Sequence, residues 1–438
     1  MTVTILRRAC TAVPGLATGL LLLLTGRTAH AQHSPDSTSR VVLVGVTVLD
    51  GTGHQPRPNQ SVGIRGERID AIFPTGSRPL PADATILDLA GRYLIPGLID
   101  THVHVATEPS GEDSRVRTER RLRLALLGGV TAVRDMAGDV RALASLQRDA
   151  VLGEITSPDI YYAALFAGPP FFADPRTQDA SRGLTPGQVP WMRAITDTTN
   201  IHQAVAEARG TGAAAIKLYA ALGGELARRV STEAHAQGLL VWAHAALLPA
   251  RPIDVVEAGV DVISHANLLS LAMDSARRAT ALHAPASQPL ALDDAGLDTL
   301  FAAMVRRHTG FEPTLLIFAE NPAALRLAGA VASKAHRRGV TLIAGTDTLG
   351  GADSGASSLP NLHRELELLV TLAGLSPAEA LESATRDAAA ALGAQGIRGT
   401  IEVGKLADLV VLRSDPLRDI RNTRSIQLVM KRGWVYRR

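Results

Sequence analysis

Two histidines one residue apart close the apolar run Pro96-Gly97-Leu98-Ile99-Asp100-Thr101-His102-Val103-His104. Residues two apart on a strand share a face, so the His102 and His104 imidazoles turn to one side. Two imidazole nitrogens placed together in this way can grip one metal ion. A His-x-His pair is common by chance, and its weight here comes from other titratable residues in similar positions. Lys217 stands in Ala215-Ile216-Lys217-Leu218-Tyr219, and His244 in Val241-Trp242-Ala243-His244-Ala245. His265 closes Val262-Ile263-Ser264-His265, and Asp347 follows Leu342-Ile343-Ala344-Gly345-Thr346. Polar groups at the ends of apolar strands are costly to bury unless they pair with one another or with metal.

Elements that would hold such a set are legible around it. Apolar strand-like runs at 98–105, 131–135, 160–166, 215–219, 240–245, 260–265, 312–318 and 341–346 alternate with Ala-, Leu- and Arg-rich helical stretches such as 119–127 and 201–209. Repeated βα units predict a parallel sheet, and eight strands predict a closed (β/α)8 barrel over 96–390, with the titratable residues at its C-terminal face. Short β-rich runs with turn residues occupy 40–95 and return over 395–438. Too few to bury a face separately, they predict one small antiparallel β-sandwich built from both chain ends. The Pro-, Gly- and Asp-rich stretch 168–188 and the Pro- and Ala-rich stretch 282–294 follow barrel strands and are expected to act as substrate lids.

The 438 residues are 46% hydrophobic, enough for a barrel and a companion unit. Their formal charge of +3 mixes 45 basic with 42 acidic residues, which argues for a small-molecule substrate and against a nucleic-acid partner. Arg7-Arg8, an apolar stretch at 13–24 and Thr28-Ala29-His30-Ala31 read as a secretory signal over 1–31, cleaved near Ala31, which implies a periplasmic or secreted protein. An apolar run of about a dozen residues falls short of the ~20 that span a bilayer, so no stable membrane span is expected after cleavage. The general secretory and twin-arginine routes both stay open, as does a homo-oligomer. Cys10, the only cysteine, lies inside that signal, so the expected mature chain has no disulfide, catalytic thiol or cysteine-ligated zinc.

The run from Pro96 to His104, Lys217, His244, His265 and Gly345-Thr346-Asp347 resembles the amidohydrolase superfamily of metal-dependent hydrolases. His363-Arg364-Glu365-Leu366, Ala373-Gly374-Leu375-Ser376, Glu379-Ala380-Leu381, Ala384-Thr385 and Gly404-Lys405-Leu406-Ala407-Asp408-Leu409 resemble its imidazolonepropionase-like and Xaa-Pro dipeptidase-like branch. The resemblance implies that His102, His104 and Asp347 hold a buried Zn2+. His244 and His265 then hold a second Zn2+, and Lys217 bridges the two as a carbamate. It further implies hydrolysis of an amide or peptide bond in a dipeptide or N-acyl amino acid by metal-bridging hydroxide, with Asp347 carrying the proton. A lysine beside two dications is driven toward its neutral amine, the form that carbon dioxide captures. An unmodified Lys217, paired with a carboxylate or exposed, would instead leave a single metal held by the histidines and Asp347; with one metal or two, the same core would also serve an imidazolonepropionase-like hydrolysis of a cyclic amide, lactone or ester. A non-catalytic binding barrel is the reading from outside enzymes.

Tyr219, two residues past Lys217 and on the same strand face, is a candidate to hold a substrate carbonyl or carboxylate. Arg182 or Arg193 would reach a substrate carboxylate. His235, His308 and His336 read as solvated helix residues, His363 as a residue that orients the loop after Asp347, and Arg134 with Asp135 as a structural ion pair beside the site.

Overall fold

The computed structural model describes residues 39–106, 114–283, 290, 292, 294–350 and 359–437. The leader expected at 1–31, with Cys10, lies outside the described residues, as does most of the expected lid at 282–294.

Seven parallel strands run in chain order around a barrel: Leu98–Val103, Val130–Asp135, Asp159–Ala167, Ala215–Leu218, Leu240–His244, Val262–Ser264 and Gly310–Glu312. Their residues are almost all buried, as continuous apolar runs are when helices cover one face of a parallel sheet and side chains fill the other. The helix Val140–Leu152 illustrates the outer layer. Asp139 caps it by accepting from the Arg141 N–H at 2.9 Å, Gly153 ends it in a left-handed turn, and Val140, Leu143, Leu146 and Ala150 form its buried stripe.

The last two barrel runs depart from expectation. The seventh strand ends at Glu312 instead of beginning there, because Pro313 has no N–H to give the ladder and Thr314 turns at φ +48°. Leu315–Phe318 becomes a 3-10 turn, and the Glu365 carboxylate accepts the N–H groups of Leu315 (2.9 Å) and Leu316 (2.8 Å). The eighth run, 341–346, is not a regular strand. It still closes the ring: Phe311 N–H donates to Thr341 O, Ile343 N–H to Phe311 O and Thr101 N–H to Ala344 O.

The barrel floor is filled by Ile99, Ala132, Ala163, Ala215, Trp242, Val262 and Ile343, plugged by Ala388 and Ala389 of the helix Arg386–Ala391. Trp242 is fully buried, and its Nε1–H donates to Ala391 O at 3.1 Å. Trp242→Ala is expected to cost roughly 3–5 kcal/mol. Urea unfolding checks this, and an unchanged midpoint would show that the floor collapses around the gap.

Both chain ends join one eight-stranded sheet. Arg40–Val48, Arg57–Arg65, Arg68–Pro74, Thr85–Asp88 and Tyr93–Pro96 come from the first end, and Leu409–Leu412, Ile426–Lys431 and Trp434–Tyr436 from the second. Tyr93–Pro96 pairs antiparallel with Leu409–Leu412 and makes the join. The sheet is mixed, not wholly antiparallel: Thr85–Asp88 and Tyr93–Pro96 run parallel to Arg40–Val48, because residues 75–84 carry the chain back to its starting end. Leu43, Val62, Leu94, Leu409 and Leu428 build its own core. Among the described residues no helix is long and apolar enough to cross a membrane.

Candidate metal centre

Three of the residues expected to bind metal converge at the seam between the first and last barrel segments. His102 Nε2 lies 3.2 Å and His104 Nε2 3.1 Å from Asp347 Oδ1, and the two rings are 5.6 Å apart. A tetrahedral zinc site with bonds near 2.05 Å has ligand-to-ligand edges of about 3.3 Å, so these donors fit one ion with little movement. Local chain geometry explains the convergence. At Gly345 a Cβ would fall 2.8 Å from His102 Cβ, so only glycine lets the last segment approach this closely. Asp347 follows in the left-handed region at φ +58°. The turn is held by Asp100, which accepts from Thr346 Oγ1–H (2.7 Å) and N–H (3.1 Å). Burial pushes Asp347 upward, but His102 and His104 outweigh it and hold the carboxyl far below the usual range.

His265 lies beside His102 and His244 beside His265, with ring centres 4.9 Å apart in each pair. Burial, reinforced by Lys217, keeps His244 well below the ordinary histidine value; burial, with His102, pushes His265 down to about 3. Both rings are therefore neutral and able to offer a lone pair. His265 sits at φ +78°, its Nδ1 3.0 Å from Thr314 Oγ1. Lys217 is fully buried, with Nζ donating to Ser264 Oγ at 3.4 Å. Burial lowers it to about 7 against the opposing pull of Glu312, so part of the amine is neutral at neutral pH.

Glu312 was not singled out in the sequence because its run was read through to Phe318, which put it at a strand's start. It stands at the strand's C-terminal end like the other site residues. Its Oε2 lies 3.2 Å from His102 Nδ1 and accepts from Ser264 Oγ–H at 2.8 Å, and its Oε1 accepts from Arg134. Burial raises Glu312, yet Arg134 and then His102 outweigh it and leave the carboxyl at about 2. The buried ion pair is thus Arg134 with Glu312, not with its neighbour Asp135. Arg134 lies 4.2 Å from the Trp242 ring centre and donates to Thr101 O. Asp135 instead accepts the N–H groups of Val105 (2.7 Å) and Ala137 (3.1 Å).

At the mouth, the Tyr219 ring stands 4.0 Å from His244 and 4.5 Å from Phe171. Arg176 Nη1 donates to the Tyr219 hydroxyl at 3.4 Å, while Asp174 holds the guanidinium through Nε (3.0 Å) and Nη2 (2.6 Å). Tyr219, Phe171 and Arg176 line a small cavity together with His104, Leu165 and Met192. The stretch 168–188 is more ordered than expected. It holds a 3-10 turn, Pro169–Ala173, and a short helix, Pro175–Ala180, which begins one residue before Arg176.

Other expectations fail at this point. Arg182 pairs with Asp179 at 3.4 Å and Arg193 with Glu207, and neither lines the cavity; Arg176, not singled out in the sequence, does. His363 is buried between Gly128 O (2.9 Å) and Thr423 Oγ1 (2.9 Å), where it ties a barrel turn to the C-terminal segment. His235 and His308 are exposed as expected, the first paired with Asp261 and the second at a helix end, while His336 is half-buried 3.7 Å from Glu379.

Comparison with known proteins agrees with this architecture. A Xaa-Pro dipeptidase crystallised with methionine in its active site superposes with a TM-score of 0.70 at 22% identity, over 91% of this chain and 100% of that one. A prolidase complexed with N-methylphosphonate-L-proline gives 0.71 at 25% identity, over the same shares. An imidazolonepropionase of Ralstonia nicotianae is 26% identical over 408 residues, 86% of this chain and 92% of the relative. An adenine deaminase of Klebsiella pneumoniae is 40% identical over only 99 residues, 22% of this chain, so the match spans just 15% of that relative's length. The pattern described as Amidohydrolase family matches residues 93–435. That span takes in every barrel strand and every residue gathered at the centre, and the chain belongs to the amidohydrolase family.

Proposed function

We propose that the chain is a metal-dependent hydrolase that cleaves an amide or peptide bond in a small substrate, a dipeptide or an N-acyl amino acid. The observation that carries the reading is the set of facing donors: two histidine nitrogens within 3.2 Å of one carboxylate oxygen, opposite two neutral imidazoles and a buried amine at about 7. His102, His104 and Asp347 would hold one Zn2+, His244 and His265 a second, and carbamylated Lys217 would lie between them. When bound, the ions polarise the scissile carbonyl and lower the pKa of water at the site.

The chain's own groups do the rest. Asp347, ionised at neutral pH, would use its second oxygen to accept the proton of the attacking water and then return it to the leaving amine. Tyr219 hydroxyl donates to the substrate carbonyl, and Phe171 with Met192 keeps that side of the cavity apolar. Arg176 lies at the rim, where a substrate carboxylate would find it; the likeness to the prolidase and the Xaa-Pro dipeptidase described above supports this substrate class. Arg176→Gln is expected to raise KM for free-acid substrates about 10–100-fold, as loss of a charge-assisted hydrogen bond does, with little change for the same substrates capped as carboxamides. Equal KM changes for both would remove Arg176 from substrate recognition.

The imidazolonepropionase match over 86% of the chain favours ring opening of a cyclic amide, lactone or ester as the second reading. One experiment separates them: protein purified with zinc and bicarbonate is assayed for metal by elemental analysis, then screened against dipeptides, N-acyl amino acids and cyclic amides. About two ions with dipeptide or N-acyl turnover supports the first reading. One ion with cyclic-amide turnover supports the second, and substoichiometric metal with no turnover would mark a binding barrel. Export belongs to the same proposal, with the mature chain expected to begin at Gln32 by N-terminal sequencing.

A further inference from the structure

We infer that Glu312 is a positioning residue that ties the two halves of the metal centre into one frame. This rests on the metal reading above and adds to it a residue that touches neither substrate nor metal.

Its two oxygens are divided between different tasks. Oε1 accepts from Arg134, which is itself fixed over Trp242 and against Thr101 O, so the carboxylate has little freedom to rotate. Oε2 faces His102 Nδ1 and Ser264 Oγ. Accepting from His102 Nδ1–H leaves the lone pair on Nε2, the nitrogen that faces Asp347. Ser264 has one hydrogen; giving it to Glu312 turns a lone pair toward Lys217 Nζ at 3.4 Å. One carboxylate thus sets the tautomer of a residue on the first half and, through a hydroxyl, the direction of the lysine on the second. Glu312, Ser264, His102 and Lys217 are all at most 1% exposed, so water does not compete for these bonds. A counter-ion for Arg134 would need only Oε1; the geometry at Oε2 is what a positioning role requires.

Two variants of the full chain separate these roles. Ser264→Ala removes only the branch to Lys217 and leaves the Arg134 pair and the His102 bond in place. Glu312→Gln presents one acceptor oxygen where two are used. Zinc stoichiometry and affinity are measured by chelator competition, beside the urea midpoint of the metal-free chain and the split of kcat from KM. Ser264→Ala is expected to keep the first ion at wild-type affinity and to bind the second about 10–100-fold more weakly. Glu312→Gln is expected to weaken both by about that factor, with kcat falling and KM unchanged at saturating zinc. If Glu312→Gln does not fold, the Ser264→Ala arm decides alone. Folded variants that bind both ions as the wild type does would reduce Glu312 to a counter-ion for Arg134. A wild-type chain that binds no zinc would overturn the metal reading itself, and this inference with it.

Discussion

Lys217→Ala is expected to lower bound metal from about two ions per chain to one or fewer, and activity by at least about 10³-fold, the scale set by the several kcal/mol that a catalytic dication supplies. The variant removes the group proposed to bridge the two sets of donors, and a buried alanine offers nothing in its stead. Elemental analysis of wild type and variant purified in parallel reads the outcome. One ion in both would sink the carbamate bridge. A pH dependence accompanies the prediction. Burial brings Lys217 down to about 7 while Glu312 pulls the other way. Only the neutral amine captures carbon dioxide, so bicarbonate-dependent reactivation of metal-stripped protein should rise as pH passes upward through about 7. An unshifted lysine would not respond until pH neared about 10. Reactivation already complete at pH 5.5 would contradict this account of the lysine.

Asp347→Asn is expected to cut kcat by about 10²–10⁴-fold at saturating zinc while leaving KM nearly unchanged, the scale of losing a positioned proton carrier. An amide keeps the shape and one oxygen facing His102 and His104 but cannot accept a proton. Because the native carboxyl is held far below the usual range, its own titration should not appear in the pH–rate profile between pH 5 and 9. Wild-type kcat in the metal-loaded variant would assign proton transfer to another group.

Much of this centre was legible because barrel strands write their ends plainly: an apolar run followed by a titratable residue. That pattern places His102, His104, Lys217, His244, His265 and Asp347 together, and the structure does bring them together. What the pattern missed has physical causes. Pro313 breaks the seventh strand five residues before the apolar run ends at Phe318, which hides Glu312. The expected Arg134–Asp135 pair does not form because adjacent strand residues point to opposite faces; Arg134 instead reaches across the barrel to Glu312. Arg176 sits in a Pro-rich stretch with no periodicity, and only the fold of that stretch over Tyr219 tells it apart from Arg182. The parallel pairings in the end sheet depend on where residues 75–84 lead, which local composition does not specify.

The way the barrel closes has a mechanical consequence. The last segment is latched to its neighbours by a few peptide hydrogen bonds rather than a full ladder, and it carries Asp347. His102 and His104 stand on the opposite lip. An ion shared by the three, as proposed, would therefore act as a rivet across this sparsely bonded joint of the cylinder. Chelation should speed deuterium uptake at the Thr101 amide, whose partner Ala344 O lies across that joint, while uptake at Lys217 and Trp242, in the continuous wall opposite, stays slow.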